Sequence, residues 1–232
     1  MRGQQMALSV QLRESASFDS FFSGPNAAVV TALRPAHGTL LLYGANGSGR
    51  THLLQATTRA QHGSYLPLAE LCEVGAELLE GLEDPALLCL DDLDRVTSDR
   101  DWALALLRLL DARHTQSKTT VMASVAPPDR MNIALPDLQT RLMRSAILGL
   151  KPLSDDERAT LLRERALARG LELPAEVSRW LLTQLARDTG TLLAALETLD
   201  RASLTAQRRL TLPFVQRVLA PRVPAHETSR TD

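Results

Sequence analysis

One stretch of this 232-residue chain carries the clearest chemistry: Gly44-Ala45-Asn46-Gly47-Ser48-Gly49-Arg50-Thr51-His52. An apolar run, Leu40-Leu41-Leu42-Tyr43, leads into it and a helix-like pattern leaves it. Glycines at this spacing let successive backbone N–H groups turn inward around an anion, and the start of the next helix adds a favourable partial charge. The pattern is that of a phosphate-binding loop, G-x-x-x-x-G-K-[ST], with one departure. Thr51 stands where a hydroxyl would reach Mg2+, but Arg50 stands where the pattern has lysine. A planar guanidinium fork does not replace a compact ammonium where space is tight. The loop therefore predicts nucleotide binding and counts against hydrolysis in the chain's own site. The competing reading is an ordinary Gly-rich turn between a strand and a helix.

A second group follows the apolar run Ala86-Leu87-Leu88-Cys89-Leu90, which ends in Asp91-Asp92 and then Leu93-Asp94. In a phosphate-loop protein, an acidic residue at the end of a buried strand can hold magnesium, directly or through water. Asp91 is the candidate ligand. Asp92 stands where related ATPases place a glutamate that orients the attacking water, one methylene longer. Asp91 and Asp94 could instead cap the next segment. Further on, Leu138 and Leu142 share a helix face, which leaves Arg141 pointing elsewhere. Arg144 is its competitor, and sequence physics does not choose between the two. Near the N-terminus, Gln5-Met6-Ala7-Leu8-Ser9-Val10 sets a glutamine ahead of alternating apolar residues, a strip that could lie extended in an apolar groove. A disordered start with chance apolar residues is the plainer alternative.

The elements that must position these residues alternate. Strands are expected at 40–43, 64–66, 86–90, 119–124 and 146–148, and helices at 27–33, 51–61, 68–82, 102–113 and 136–144. Asn26 or a neighbour would cap the first helix, and Asp99 or Asp101 the fourth. Unalternated apolar strands separated by helices imply a parallel sheet covered on both faces. Phe18, Phe21 and Phe22 concentrate aromatics in a chain only 3% aromatic, so their segment should pack on the body or cover a ligand. At Ser154-Asp155-Asp156-Glu157 a capping box opens an all-helical region that continues to residue 219. The expected organisation is an arm at 1–17, an α/β base at 18–150, a helical lid at 151–220 and a disordered tail at 221–232.

Lys and Arg total 26 against 27 Asp and Glu, a net charge of -1, which argues against a chain devoted to gripping nucleic acid phosphates. Only Lys118 and Lys151 are lysines, so Arg50 also fits a chain-wide arginine bias. Cys72 and Cys89 have no metal-ligand spacing, and a disulfide framework is not expected. The absence of a signal-like or membrane-length apolar run implies a soluble, cytoplasmic protein with no membrane partner.

Taken together, Gly44 to Leu54, Phe18-Asp19-Ser20-Phe21 with Gly24 and Asn26, and Asp91-Asp92 resemble bacterial replication initiators of the AAA+ class. No segment reads as the helix-turn-helix DNA-binding domain of DnaA, and the Gln-led strip is similar to that of the Hda family of DnaA-related regulators. Asp200-Arg201-Ala202-Ser203 and Leu210-Thr211-Leu212-Pro213-Phe214-Val215 look like that family's lid and tail. The resemblance covers 18–219. It implies a P-loop AAA+ domain followed by a small helical lid, and a cofactor that is ADP or ATP, with Mg2+ as a candidate ion. It makes Gln5, Met6, Leu8 and Val10 a sliding-clamp contact, Asp92 a catalytic position, and Arg141 an arginine finger for a neighbouring subunit. DnaA and the clamp are the implied partners, DNA is met indirectly, and a homo-oligomer stays open. The implied function is negative regulation of replication initiation, by stimulating ATP hydrolysis in DnaA together with the DNA-loaded clamp. Two departures stand out: only Ser124 is in range at the sensor position after the fourth strand, and Gly190 replaces the lid arginine, with Arg187 nearby. A self-sufficient ATPase of helicase-loader type and a nucleotide-independent adaptor are the rival readings.

Overall fold

A computed structural model describes residues 16–185 and 188–220. The strip Gln5, Met6, Leu8 and Val10, Arg187 and the tail 221–232 lie outside the described residues.

Strands form around short apolar runs: β1 Thr39–Tyr43, β2 Ser64–Pro67, β3 Leu87–Asp91, β4 Thr119–Ser124 and β5 Ala146–Gly149. They pair in parallel in the order β2-β3-β4-β1-β5. Side-chain alternation sends Leu41, Leu88, Leu90 and Met122 to one face and Leu40, Leu42, Cys89, Val121 and Ala123 to the other. The first face packs against helices α4 (Arg100–Thr115) and α5 (Pro136–Met143), through Leu106, Leu110, Leu138 and Leu142. The second packs against α1 (Ala27–Leu33) and α2 (Arg50–Ala60), through Val30, Leu33, Leu53 and Leu54. Tyr43 pairs with Ser124 and Leu90 with Met122, so β1, β3 and β4 end on the same edge of the sheet. Ligands of open α/β sheets bind outside such carboxyl ends.

Two local expectations are corrected. The apolar period over 68–82 predicts one helix, but α3 spans only Leu68–Leu71, and a separate 3₁₀ turn covers Ala76–Leu79. Between them Gly75 takes φ 111°, ψ 160°, a region essentially restricted to glycine, and the helix cannot pass through it. Leu68, Leu71 and Leu79 reach the core regardless. Asn26 does not cap α1 with its side chain. It is buried, accepts from Lys151 N at 2.8 Å and donates to Lys151 O at 3.0 Å, tying the start of α1 to the chain leaving β5.

The irregular stretch before β3 is held from inside. Arg113, on α4 and 1% exposed, donates from Nη1 to the carbonyls of Leu82, Glu83 and Pro85, from Nη2 to that of Thr119, and from Nε to Thr120 Oγ1. Asp99 caps α4, accepting from the amides of Asp101 and Trp102.

The first compact unit runs to Leu153 and the second begins at Ser154. The second holds α6 (Asp155–Leu167), α7 (Ala175–Gln184), α8 (Thr189–Ala206) and α9 (Leu212–Leu219). Ser154 and Glu157 form the expected capping box, and Gly170 takes φ 72° just past α6. Leu162, Val177, Leu181, Leu196, Leu199, Phe214 and Val215 make its core. Among the described residues, no helix is long and apolar enough to cross a membrane.

Candidate functional site

The loop between β1 and α2 is shaped by its glycines. A side chain on Gly44 would bring Cβ within 2.7 Å of Ser48 Oγ and 2.9 Å of Leu150 Cβ. Gly47 and Gly49 hold φ of 74° and 98°, in the left-handed region, so the backbone can turn its amides inward before α2 begins. The first-turn amides of α2 have no partner inside the helix and remain donors toward an anion. Ser48 Oγ and Arg50 Nη1 are buried with no hydrogen-bond partner among the described residues. Orphaned buried donors beside a glycine cradle are what an absent phosphate group would satisfy, so the loop fits a nucleotide.

Arg50 itself is 7% exposed. Its Nη2 donates to Asn46 Oδ1 at 3.2 Å and lies 3.7 Å from Asp92 Oδ1, and Nη1 is 4.0 Å from Asp94 Oδ1. The loop cation thus faces the end of β3 across the site. The same arrangement makes a magnesium ion a poor fit. Asp91 is 1% exposed and its carboxylate is engaged, accepting from Tyr65 Oη at 2.8 Å and from Asp92 N at 3.0 Å. Mg2+ keeps much of its water shell, and a carboxylate this buried and doubly engaged presents little to that shell. Among the described residues, no group of three His, Cys, Asp or Glu could hold a metal. Asp92 sits at φ 54°, and burial, then the neighbouring Asp91, raises its carboxyl above the usual range, with Arg50 partly opposing them. Asp94 Oδ1 accepts from Val125 N at 2.8 Å, so it braces β3 against β4 rather than capping the next turn.

An aromatic cover emerges that the loop pattern alone does not announce. A Cβ on Gly49 would lie 2.6 Å from the Phe21 ring, and Phe21 also meets His52 with ring centroids 5.5 Å apart. His52 Nε2 lies 2.9 Å from the Ser17 carbonyl, a contact that requires the proton on that nitrogen. Phe18 is buried beneath Arg34. The aromatic concentration was the available signal, and it does pack on the body. Tyr65 had no signal: it reaches Asp91 from the adjacent strand, and burial, then Asp91, pushes its hydroxyl well above the usual range. Cys89 is fully buried and its thiol is pushed up to about 12, chiefly by burial, which makes it an inert core residue.

The structure separates Arg141 from Arg144. Leu138 and Leu142 are fully buried on one face of α5, as the spacing predicts. Arg141 is not a free outward guanidinium, however: it is ion-paired with Asp111 of α4, its side chain 26% exposed. The reason is local, since α4 and α5 pack together and bring an acidic position within reach. Arg144, at the C-terminal cap of α5, is exposed. Ser124, expected at the sensor position, is fully buried and donates to Ala126 O at 2.7 Å. In the second unit Gly190 lies in the first turn of α8, where Asp188 caps the helix by accepting from Thr191 N at 2.8 Å. The Thr191 hydroxyl, and then that amide, hold the Asp188 carboxyl below its ordinary value.

Residues 155–219 match the family model described as "Hda, lid domain". Domain III of the Thermotoga maritima replication initiation protein DnaA is similar in fold, with a TM-score of 0.73 at 19% identity over 90% of this chain and 97% of that one. AMPPCP-bound DnaA from Aquifex aeolicus gives a TM-score of 0.65 at 18% identity, over 83% of this chain and 67% of that one. A variant of the Thermotoga maritima RuvB protein gives 0.67 at 14% identity, over 90% and 72%.

Proposed function

We propose that this chain, with a base of DnaA-like fold and residues 155–219 that match the Hda lid, is an AAA+ protein that regulates replication initiation by stimulating ATP hydrolysis in DnaA. The observation that carries this reading is the lid match at 155–219 behind a DnaA-like base. The loop binds ADP or ATP through its amides, Ser48 and Arg50; the DnaA of Aquifex aeolicus, similar in fold, is AMPPCP-bound. Turnover belongs to the partner. With Arg50 facing Asn46 and Asp92, and Asp91 occupied by Tyr65, the chain's own site is arranged for holding rather than for hydrolysis. Arg141 supplies the finger: it exchanges Asp111 for the charge that develops on the phosphoryl group in the partner's site. The fork shape suits both partners. The strip at Gln5, Met6, Leu8 and Val10 tethers the chain to the DNA-loaded sliding clamp.

The test is hydrolysis of ATP bound to purified DnaA, with and without this protein and with and without clamp loaded on DNA. The expected result is stimulation only when protein and loaded clamp are both present. Absence of stimulation with every component present overturns the reading. Comparable turnover by the isolated chain would favour the self-sufficient ATPase instead.

A further inference from the structure

A groove in the helical unit, far along the sequence from the phosphate loop, has the composition of a polyanion site. It has a volume of about 440 Å³ and is lined by Gln207, Arg208, Arg209, Thr211, Pro213, Phe214 and Arg217. None of these carries a negative charge, and Gln207, Thr211 and the three arginines can donate hydrogen bonds. The setting is unusual for a chain of net charge -1: no Asp or Glu occurs between Asp200 and Glu227. The nearest upstream carboxylates are already paired, Glu197 with Arg169 and Arg201, and Asp200 with Arg169.

The groove is built, not a loose surface. Gln207 ends α8 in the left-handed region at φ 49°, and Arg208 N donates to Ser203 O at 3.1 Å. Ser203 Oγ donates to Arg208 O at 2.6 Å, and Thr211 N to Arg209 O at 3.0 Å. Leu210 is buried and pins the turn, while Arg208 and Arg209 just before it are exposed. Arg217 comes from α9, its guanidinium 5.6 Å from the Phe214 ring centroid. A cation laid on a ring is pre-ordered, so less freedom is lost when it pairs.

We propose that this groove binds the sugar-phosphate backbone of duplex DNA. A protein or acidic-peptide partner is less favoured, because the lining's aromatic residue is buried and its one exposed apolar residue is Pro213, short of the large anchors that dominate protein interfaces. Phe214 is 6% exposed and offers no face for a base to stack on, so single strands gain nothing over a duplex. The contact reads charge and not sequence. It adds a direct DNA contact to a protein expected to meet DNA only through a partner. Even a weak site suffices if the clamp tether raises the local concentration of duplex.

The experiment is fluorescence anisotropy of the full-length protein with a labelled duplex of arbitrary sequence, titrated across salt. Three phosphate contacts predict a slope of about -3 in log K against log salt. The Arg208→Gln/Arg209→Gln/Arg217→Gln variant is expected to flatten that slope and lose at least about tenfold in affinity at low salt. Because Arg217 also packs on Phe214, Arg208→Gln/Arg209→Gln is measured beside it, with thermal unfolding of each. The double variant should keep the native melting curve and retain about a third of the slope. A duplex affinity and slope unchanged in both variants overturns the proposal. So does single-stranded DNA binding tighter than the duplex, or polyglutamate binding to the native protein where the duplex does not.

Discussion

Gly49 has no room for a side chain and holds a φ of 98°, so strain and obstruction act together there. Gly49→Val should abolish ADP binding by calorimetry, while Arg50→Lys, which keeps the charge and the amides, should preserve it. Asp92 gives a pH-dependent outcome. Its carboxyl is raised by burial and Asp91, so ionising it opposes folding. The protonated form stabilises fully below the unfolded value of about 3.9, and that contribution is lost as pH rises through the raised folded value. Asp92→Asn, which tolerates the left-handed backbone, should therefore be more stable than the native protein at neutral pH, by less than about 1 kcal/mol. The margin should vanish near about pH 3, checked by paired thermal melts. Arg141→Ala should keep folding and ADP binding but lose the stimulation of DnaA, which a finger makes worth about 10³–10⁵ in rate. Arg141→Lys should recover little, and Arg144→Ala should be mild. The sequence could name Arg141 and Arg144 but could not separate them, because Asp111 is thirty positions away and meets α5 only through the packing of two helices.

Among the elements, those defined by local chemistry were legible: the strands by short apolar runs, α4 by Asp99, and α6 by the Ser154–Glu157 box. The break in 68–82 was not. A leucine period satisfies a helix or a chain of short turns equally well once each leucine reaches the core, and Gly75 decides between them. The Asn26 clamp was equally hidden, since its partner Lys151 is separated by 125 positions. Its role gives a direct check. Asn26→Ala leaves a donor and an acceptor of Lys151 without their partner, which should cost about 1–3 kcal/mol. The urea midpoint should fall with the m-value unchanged. Asn26→Asp should not rescue it, because a carboxylate cannot donate to Lys151 O.

At the scale of the whole molecule, tethering and chemistry should be separable by mutation. Gln5→Ala with Leu8→Ala is expected to eliminate clamp pull-down while ADP binding and the melting curve stay native. Retention of wild-type clamp affinity would move the contact elsewhere. Arg113 has a different kind of reach. The chain from α3 to β3 is long, mostly irregular and rich in glutamates, among them Glu77, Glu80 and Glu83, which would ordinarily make it the place where a glutamate-specific protease nicks first. Its carbonyls, however, end on a guanidinium rooted in the core, so cleavage has to wait for α4 to let go. Arg113→Lys, with a point charge in place of the fork, should turn that excursion into the earliest cut on a digestion time course, while α2 and the central strands remain intact.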